Sequence, residues 1–480
     1  MIRELLMWVI VTSAIIVLIL YAVINAFYLF IHIIGLVELR DQMRDQEVDP
    51  AYSSFDSNFL PGVAMIVPAY NEANTIVDCV RSLVEIEYPE VTVIAVNDGS
   101  TDDTLERLTE TFGLELVNDT PPWQLSDTEV HGIYRSTTAE RLYVIDKENG
   151  GKSDALNAGI NFTEQPLFCS IDADSIIDRS GLRRVVAPFI ANPKEVVASG
   201  GTVRLANGCV IEDGHLVDAN MSDSLLVQMQ EAEYLRSFYS GRLGLSRLRN
   251  LLVISGTFGM FRTDVIREIG GYNPETVTED LDLVVRLHRH FHEHDLPYRV
   301  EFVSEPIVWT QAPERLGDLG RQRRRWYRGL LEVISTNRDM IANPRYGTIG
   351  MFAIPIHIIA EVFGPLLEAY GYLVVITAII LGILHVEFFV LFLLVIIGIG
   401  IFLSTFGVFS EVWGYRRYDD PGEIAVLLGA SIVENIGYRQ LRAVWAVHGL
   451  VEFLRRDTSW GRIRRQTFND TAVGDMSSNE

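Results

Sequence analysis

Lysine is almost missing from this 480-residue chain: Lys147, Lys152 and Lys194 are the only three, and the rest of its 40 basic side chains are arginine. Against them stand 63 Asp and Glu, for a formal charge of -23. A balance that acidic disfavours wrapping by a polyanion, so nucleic acid is not an expected partner. Acid excess with depleted lysine fits a high-salt source, and a GC-rich genome that exchanges Lys for Arg would leave a similar trace. Cysteine is scarce too. Cys79, Cys169 and Cys209 are widely spaced, form no CxxC or Cys/His ligand pattern, and cannot all pair within one chain because they are odd in number. They are expected to be reduced core thiols. Internal repeats and low-complexity tracts are also absent.

What the chain has in quantity is apolar residues, 48% of the total, with a mean hydropathy of +0.19. Residues 8–37 are almost unbroken Val, Ile, Leu, Phe, Ala and Tyr, with Asn25 and His32 as the polar exceptions. A bilayer span takes ~20 such residues. A cleavable signal peptide would have a core of ~7 to 15 and a small-residue cleavage site, so a permanent anchor is expected. A turn-rich linker with Asp49-Pro50 and Ser53-Ser54 leads from it to a region of soluble composition that runs to about Tyr346. Beyond Asn343-Pro344 the chain turns apolar again, and 371–384, extended backward through Phe363 and Pro365, and 387–406 read as two further spans. The stretch 351–361, with Pro355 and His357, is expected to lie in the interface. Residues 424–453 are interrupted by Glu434, Arg439 and Arg442, which leaves a fourth span, a re-entrant hairpin and an interfacial helix open. Arginines at Arg40 and Arg44, at Arg416 and Arg417, and from Arg455 to Arg465 mark these flanks as cytoplasmic. The expected plan is an anchor over 1–40, a linker over 41–60, a catalytic domain over 61–346, transmembrane and interfacial helices over 347–455, and a basic then polar tail over 456–480.

Within the soluble region, apolar runs at 63–67, 91–96, 142–145, 167–171 and 196–199 read as strands. Stretches at 74–84, 152–160 and 222–238 read as helices between them. Such alternation predicts an α/β fold with a mostly parallel sheet covered on both faces. Ligands in such sheets bind beyond the carboxyl ends of the strands, which directs attention to the residues just after each run.

The first run exits into Pro68-Ala69-Tyr70-Asn71-Glu72, where Tyr70 can stack on a planar base, although a plain turn would use the same residues. The second ends in Asn97-Asp98-Gly99-Ser100-Thr101-Asp102-Asp103; helix capping explains Ser100 or Asp102 but explains Asp98 less well. Gly150-Gly151-Lys152 comes after the third, and backbone N–H groups at a helix start beside an ammonium suit a diphosphate. The strongest signal is Ser170-Ile171-Asp172-Ala173-Asp174. Side chains two apart on an extended chain face one side, so Asp172 and Asp174 can share Mg2+ or Mn2+ with phosphate oxygens. Ser255-Gly256-Thr257-Phe258-Gly259 can bring backbone close to a ligand. Thr278-Glu279-Asp280 opens an amphipathic helix over 280–288, and a carboxylate there is either a cap or an ionised group held by the helix dipole. Gln322-Arg323-Arg324-Arg325-Trp326 sits in a basic helical run that would also suit anionic lipid.

In this order the segments resemble the family 2 inverting glycosyltransferases, in particular the membrane-bound processive branch of cellulose, chitin, hyaluronan and poly-N-acetylglucosamine synthases. The resemblance covers roughly 61–328. It implies a GT-A, Rossmann-like catalytic domain on the cytoplasmic side of the plasma membrane, flanked by transmembrane helices in a multi-pass protein. It also implies that Tyr70, Glu72 and Asp98 contact the uridine of a UDP-sugar donor, that Lys152 and Arg325 meet the diphosphate, and that Asp172 and Asp174 hold Mg2+ or Mn2+. Asp280, with Glu279 beside it, matches the catalytic base, while Ser255, Gly256, Gln322 and Trp326 match the acceptor side. Ser255 to Gly259 lacks the Cys-containing form of cellulose synthases, which turns the expectation from glucose toward N-acetylglucosamine. The acceptor is expected to be a growing glycan; a non-processive transferase acting on a lipid carrier, or a catalytically silent nucleotide-sugar binder, are the alternatives. Oligomeric state is not legible.

Overall fold

The structure, a computed structural model, describes residues 2–48, 60–117, 125–384, 386–414 and 420–456. Most of the expected linker, Arg416, Arg417 and the tail from 457 onward lie outside the described residues. The chain divides into two compact units.

One unit takes in Glu38–Asp223 and Ser246–Pro313. Its strands are β1 (Val63–Ala69), β2 (Val91–Asp98), β3 (Leu114–Val117), β4 (Val130–Ser136), β5 (Leu142–Lys147), β6 (Leu167–Ile171), β7 (Ser175–Ile177), β8 (Val196–Leu205), β9 (Val210–Glu212), β10 (His215–Asp218), β11 (Phe258–Arg262) and β12 (Arg299–Thr310). All but β9 and β10 form one ten-stranded sheet in the order β3-β4-β5-β2-β1-β6-β11-β8-β12-β7. Four of the five expected runs sit in its middle, where β5, β2, β1 and β6 are parallel, and the fifth lies in β8. Their near-continuous burial is what a sheet covered on both faces requires. Met65, Val67, Val93, Cys169 and Ile171 pack there with Val80, Leu83 and Leu182 of the flanking helices.

The expectation of a mostly parallel sheet is corrected: β3, β4, β7 and β11 run antiparallel to their neighbours, so the sheet is mixed. At β11 the cause is local. Asp172 N donates to Thr257 O at 3.2 Å, so the chain stands at the carboxyl end of β6 just before β11 begins. It can then only run back along β6, which needs no crossover helix. Asp213-Gly214, with positive φ at both residues, forms the turn of the hairpin β9–β10. Cys79, Cys169 and Cys209 are buried and form no disulfide, as expected of core thiols.

The other unit takes in Met1–Val37, Ser224–Leu245 and Glu314–Gly461, and it is helical. Among the described residues three helices are long and apolar enough to cross a membrane: Ile10–Asp45, Ile349–Ile380 and Leu393–Trp413. The second takes in 351–361, the stretch expected at the interface, as part of one helical run. π-Helical turns at Ile349–Ala353 and Ile358–Phe363 flank Pro355, and Pro365 falls in the first turn of Gly364–Ile380. The ambiguous stretch 424–453 is two helices, Pro421–Val433 and Tyr438–Leu454, broken at Gly437 with φ 90°. Neither is long enough to count among those three. Glu233, 2% exposed, receives Arg323 at 2.9 Å, Tyr438 Oη at 2.7 Å and Arg442 at 3.1 Å. Burial alone would raise the Glu233 carboxyl, but Arg323 and Arg442 outweigh it and hold it down at about 2.

Candidate active site

Because β1 and β2 are parallel and in register from Val63/Val91 to Ala69/Asn97, the loops that come after them leave the sheet side by side. Asn71 takes φ 58°, a left-handed conformation that Asn tolerates, and fastens the two together. Its N–H donates to Ser100 Oγ at 3.0 Å, and its Oδ1 accepts from Thr101 N at 2.8 Å. Glu72 N donates to Thr104 Oγ1 at 2.9 Å. Tyr70, between them, is 47% exposed, so its ring faces solvent at the carboxyl edge of the sheet.

Asp98 closes β2 and is buried. Its Oδ1 accepts from Lys147 Nζ at 2.6 Å and Gly150 N at 2.9 Å, and its Oδ2 from Gly151 N at 2.8 Å. The two glycine N–H groups that looked suited to a phosphate therefore point at a carboxylate of the protein itself. Gly151, with φ 86°, makes this turn just before helix Lys152–Phe162 begins.

Lys152, first residue of that helix, gathers the centre of the site. Its ammonium lies 2.7 Å from Asp172 Oδ1 and 2.7 Å from Glu279 Oε1, and donates to Gly256 O at 2.9 Å. All three N–H bonds of the ammonium are thereby used. Burial would lower its pKa, but Asp172 and Glu279 outweigh that effect and raise it, so Lys152 is a fixed cation. Asp280 stands next to this tripod. A Cβ placed on Gly256 would lie 3.3 Å from Asp280 Oδ2 and 3.8 Å from Lys152 Nζ, so carboxylate and ammonium both border the space beside Gly256. The missing side chain at Gly256 is what leaves Asp280 its room.

Asp172 and Asp174 differ more than alternation along a strand suggests. Strand β6 ends at Ile171, and Ser175 N donates to Asp172 O at 3.0 Å, so the two acids sit in a turn and not on an extended chain. Asp172 is partly exposed and pairs with Lys152; Asp174 is only 2% exposed, with Ser175 Oγ 3.4 Å from its Oδ1. Among the described residues no group of three or more His, Cys, Asp or Glu is set to hold an ion. Asp172 and Asp174 supply two carboxylates, a donor set that fits a hard cation with its other positions on a ligand's phosphate oxygens.

The structure thus brings Lys152, Asp172, Gly256, Glu279 and Asp280 into one cluster and ties the Tyr70–Glu72 loop to the loop after Asp98. Ser255 lies in the strand-free segment that supplies Gly256. Gln322, Arg325 and Trp326 are on helix Leu316–Thr336 of the helical unit, where the Trp326 ring carries Arg323 at 4.4 Å and meets Phe238 edge-on at 5.9 Å. Sequence reading missed Asn157, whose amide exchanges two hydrogen bonds with the Tyr272 backbone, at 2.7 and 2.8 Å, and so joins the Lys152 helix to the loop leading to Glu279. It also missed Lys147. A lysine closing an otherwise apolar strand was the available signal, since lysine is almost never fully buried without a partner.

The α/β unit is a GT-A-like mixed-sheet fold with acidic loops at the carboxyl ends of its strands and an ammonium-centred acid cluster among them. Residues 64–270 match the model of Glycosyl transferase family 2, so the chain carries a family 2 glycosyltransferase domain. It is similar to the poly-beta-1,6-N-acetyl-D-glucosamine synthase of Staphylococcus epidermidis, 27% identical over 273 residues, 57% of this chain and 55% of that protein. The same enzyme of Staphylococcus aureus strain MSSA476 is 26% identical over 275 residues, 57% of this chain and 56% of that one. The matched stretch thus spans about half the length of these relatives. Among solved structures, the mannosyltransferase of Pyrobaculum calidifontis in complex with GDP-Man and Mn2+ overlays 91% of this chain and 99% of its own at 16% identity and TM-score 0.45.

Proposed function

We propose that the protein transfers a sugar, N-acetylglucosamine by preference over glucose, from its UDP donor to a growing polysaccharide on the cytoplasmic face of the plasma membrane. The observation that carries this reading is the cluster in which Lys152 binds Asp172, Glu279 and the Gly256 carbonyl with Asp280 alongside. The family 2 domain and the resemblance to poly-N-acetylglucosamine synthases support the donor and product class.

In this mechanism Tyr70, Glu72 and Asp98 receive the uridine, and Lys152 with Arg325 receives the diphosphate. Asp172 and Asp174 would hold Mg2+ or Mn2+, which when bound offsets negative charge on the diphosphate. Lys152 is kept cationic by Glu279 as well as Asp172, so it keeps a carboxylate partner when Asp172 turns to another ligand. Asp280 accepts the proton of the acceptor hydroxyl, whose oxygen forms a bond to the anomeric carbon as the bond from that carbon to the diphosphate oxygen breaks. The electron pair leaves with UDP, and a single displacement turns an α-linked donor into a β-linked product. Ser255, Gly256, Gln322 and Trp326 supply the acceptor side, Trp326 offering an aromatic face to the sugar.

Incubating membranes that contain the full chain with radiolabelled UDP-sugars and Mg2+ or Mn2+ tests the proposal. Polymer from UDP-N-acetylglucosamine is the expected product; mono-glycosylated lipid alone would defeat the processive reading.

A further inference from the structure

We propose that Lys147 is a positioning residue for the nucleoside end of the donor, acting through Asp98; the inference rests on the nucleotide-sugar reading of the same site. Lys147 is the last residue of β5, and its side chain has no exposed surface. Its ammonium contacts Asp98 Oδ1 at 2.6 Å, Asp154 Oδ2 at 2.7 Å and Glu148 O at 2.7 Å. The three hydrogens are spent inside the protein, so Lys147 has none for a ligand and whatever it does passes through its partners. Asp98 is the partner that ends β2, where the loop hydrogen-bonded to the Tyr70–Glu72 loop begins. With Lys147 and Gly150 on Oδ1 and Gly151 on Oδ2, three of the roughly four acceptor positions of a carboxylate are filled. The remaining one, on Oδ2, is fixed in direction, as an acceptor for a nucleobase N–H or a ribose hydroxyl should be.

Asp154 is the outer anchor of the same hub. It sits in the first turn of helix Lys152–Phe162, accepts from Thr128 Oγ1 at 2.5 Å and Asp127 N at 3.2 Å, and is held ionised below the usual carboxylate range, the bond from Lys147 overcoming its burial. One ammonium therefore joins the ends of β2 and β5, the start of the Lys152 helix and the segment before β4. Buried ion pairs of this kind contribute little net stability against an apolar replacement, because desolvation cancels the attraction. What such a hub supplies is geometry: the direction of the Asp98 carboxylate and the path of the Gly150-Gly151 turn.

The test is UDP binding to the purified full chain by calorimetry, with steady-state transfer and thermal unfolding measured on the same samples. Lys147→Met is expected to weaken UDP binding roughly tenfold or more, the effect of losing one charged hydrogen bond, and to raise donor KM while kcat at saturating donor changes little. Lys147→Arg, which keeps the charge, should recover part of the affinity. A Lys147→Met protein that unfolds earlier yet binds UDP as tightly as wild type overturns the proposal and leaves Lys147 a structural residue. If removing the cation prevents folding by stranding two buried carboxylates, Lys147→Met/Asp154→Asn strands one fewer and is read the same way. Asp154→Asn alone decides if neither folds: several-fold weaker UDP binding supports the proposal, and unchanged binding overturns it. Wild-type protein that binds no UDP would instead remove the nucleotide-sugar reading on which the inference stands.

Discussion

Replacing Gly256 by alanine perturbs the proposed base without touching charge. Gly256 is not among the residues with positive φ, so an L side chain meets no backbone strain there. The new methyl would lie 3.3 Å from Asp280 Oδ2, closer than ordinary van der Waals contact, whereas Asp280 Cγ at 3.5 Å and Lys152 Nζ at 3.8 Å are at ordinary contact. Asp280 must give by a few tenths of an ångström while Lys152 stays. A displacement of ~1 Å at a reacting group costs about 10²-fold in rate, so a shift of a few tenths scales to a loss of kcat of roughly three- to tenfold. Donor KM should move little because the Lys152 contacts persist. The assay is steady-state UDP release by the full chain in nanodiscs, with thermal unfolding as control; stability should change by less than ~1 kcal/mol, as for changes that strand no buried group. A Gly256→Ala enzyme with wild-type kcat would refute the placement of the base at Asp280, and a raised KM with unchanged kcat would move Asp280 to donor binding.

Glu279→Gln takes one of two anionic acceptors from Lys152, and at ~1.5 to 3 kcal/mol for a charged hydrogen bond donor KM should rise about tenfold, read from initial rates over a donor series. The Lys152 pKa is raised, so its contribution is complete below the unfolded value of about 10.4 and is lost only as pH climbs through the higher folded one; UDP affinity should therefore be flat from pH 7 to 9 in calorimetry. Glu233 has the opposite sign: held at about 2 against a reference of 4.5, it stabilises fully above 4.5 and loses that contribution as pH falls toward 2. Glu233→Gln strands Arg323 and Arg442 and should cost ~3 kcal/mol near neutrality while reducing the acid sensitivity of unfolding. Chelation by EDTA should stop transfer, Mn2+ or Mg2+ should restore it, and Asp174→Asn should raise the metal concentration needed for half-maximal rate.

The middle of the sheet and the loops beyond it were legible because β1, β2, β5 and β6 are uninterrupted apolar runs whose ends are abruptly polar. The edges were not. β7 has three residues and β3 four, too short for a period to register, and β11 is reversed by where the chain arrives and not by its composition. Asp172 and Asp174 were found by a spacing rule for extended chain, although they lie in a turn whose hydrogen bond no pattern announces. Asp98 was singled out because capping did not explain it; its real partners, Lys147 and the two glycine N–H groups, lie 49 to 53 residues away. In the helical unit, Pro355 reads as an interruption because proline removes a backbone donor. The π turns that absorb it depend on how the neighbouring turns close, which hydropathy does not record.

The central claim, that Asp280 takes the acceptor proton in a site charged with a UDP-sugar, is tested most directly by UDP release from UDP-N-acetylglucosamine with wild-type and Asp280→Asn protein. Release and polymer are expected from the first and a rate lower by roughly 10² to 10⁴ from the second, the usual contribution of a general base, with UDP binding retained. Equal rates of UDP release from both proteins would contradict it.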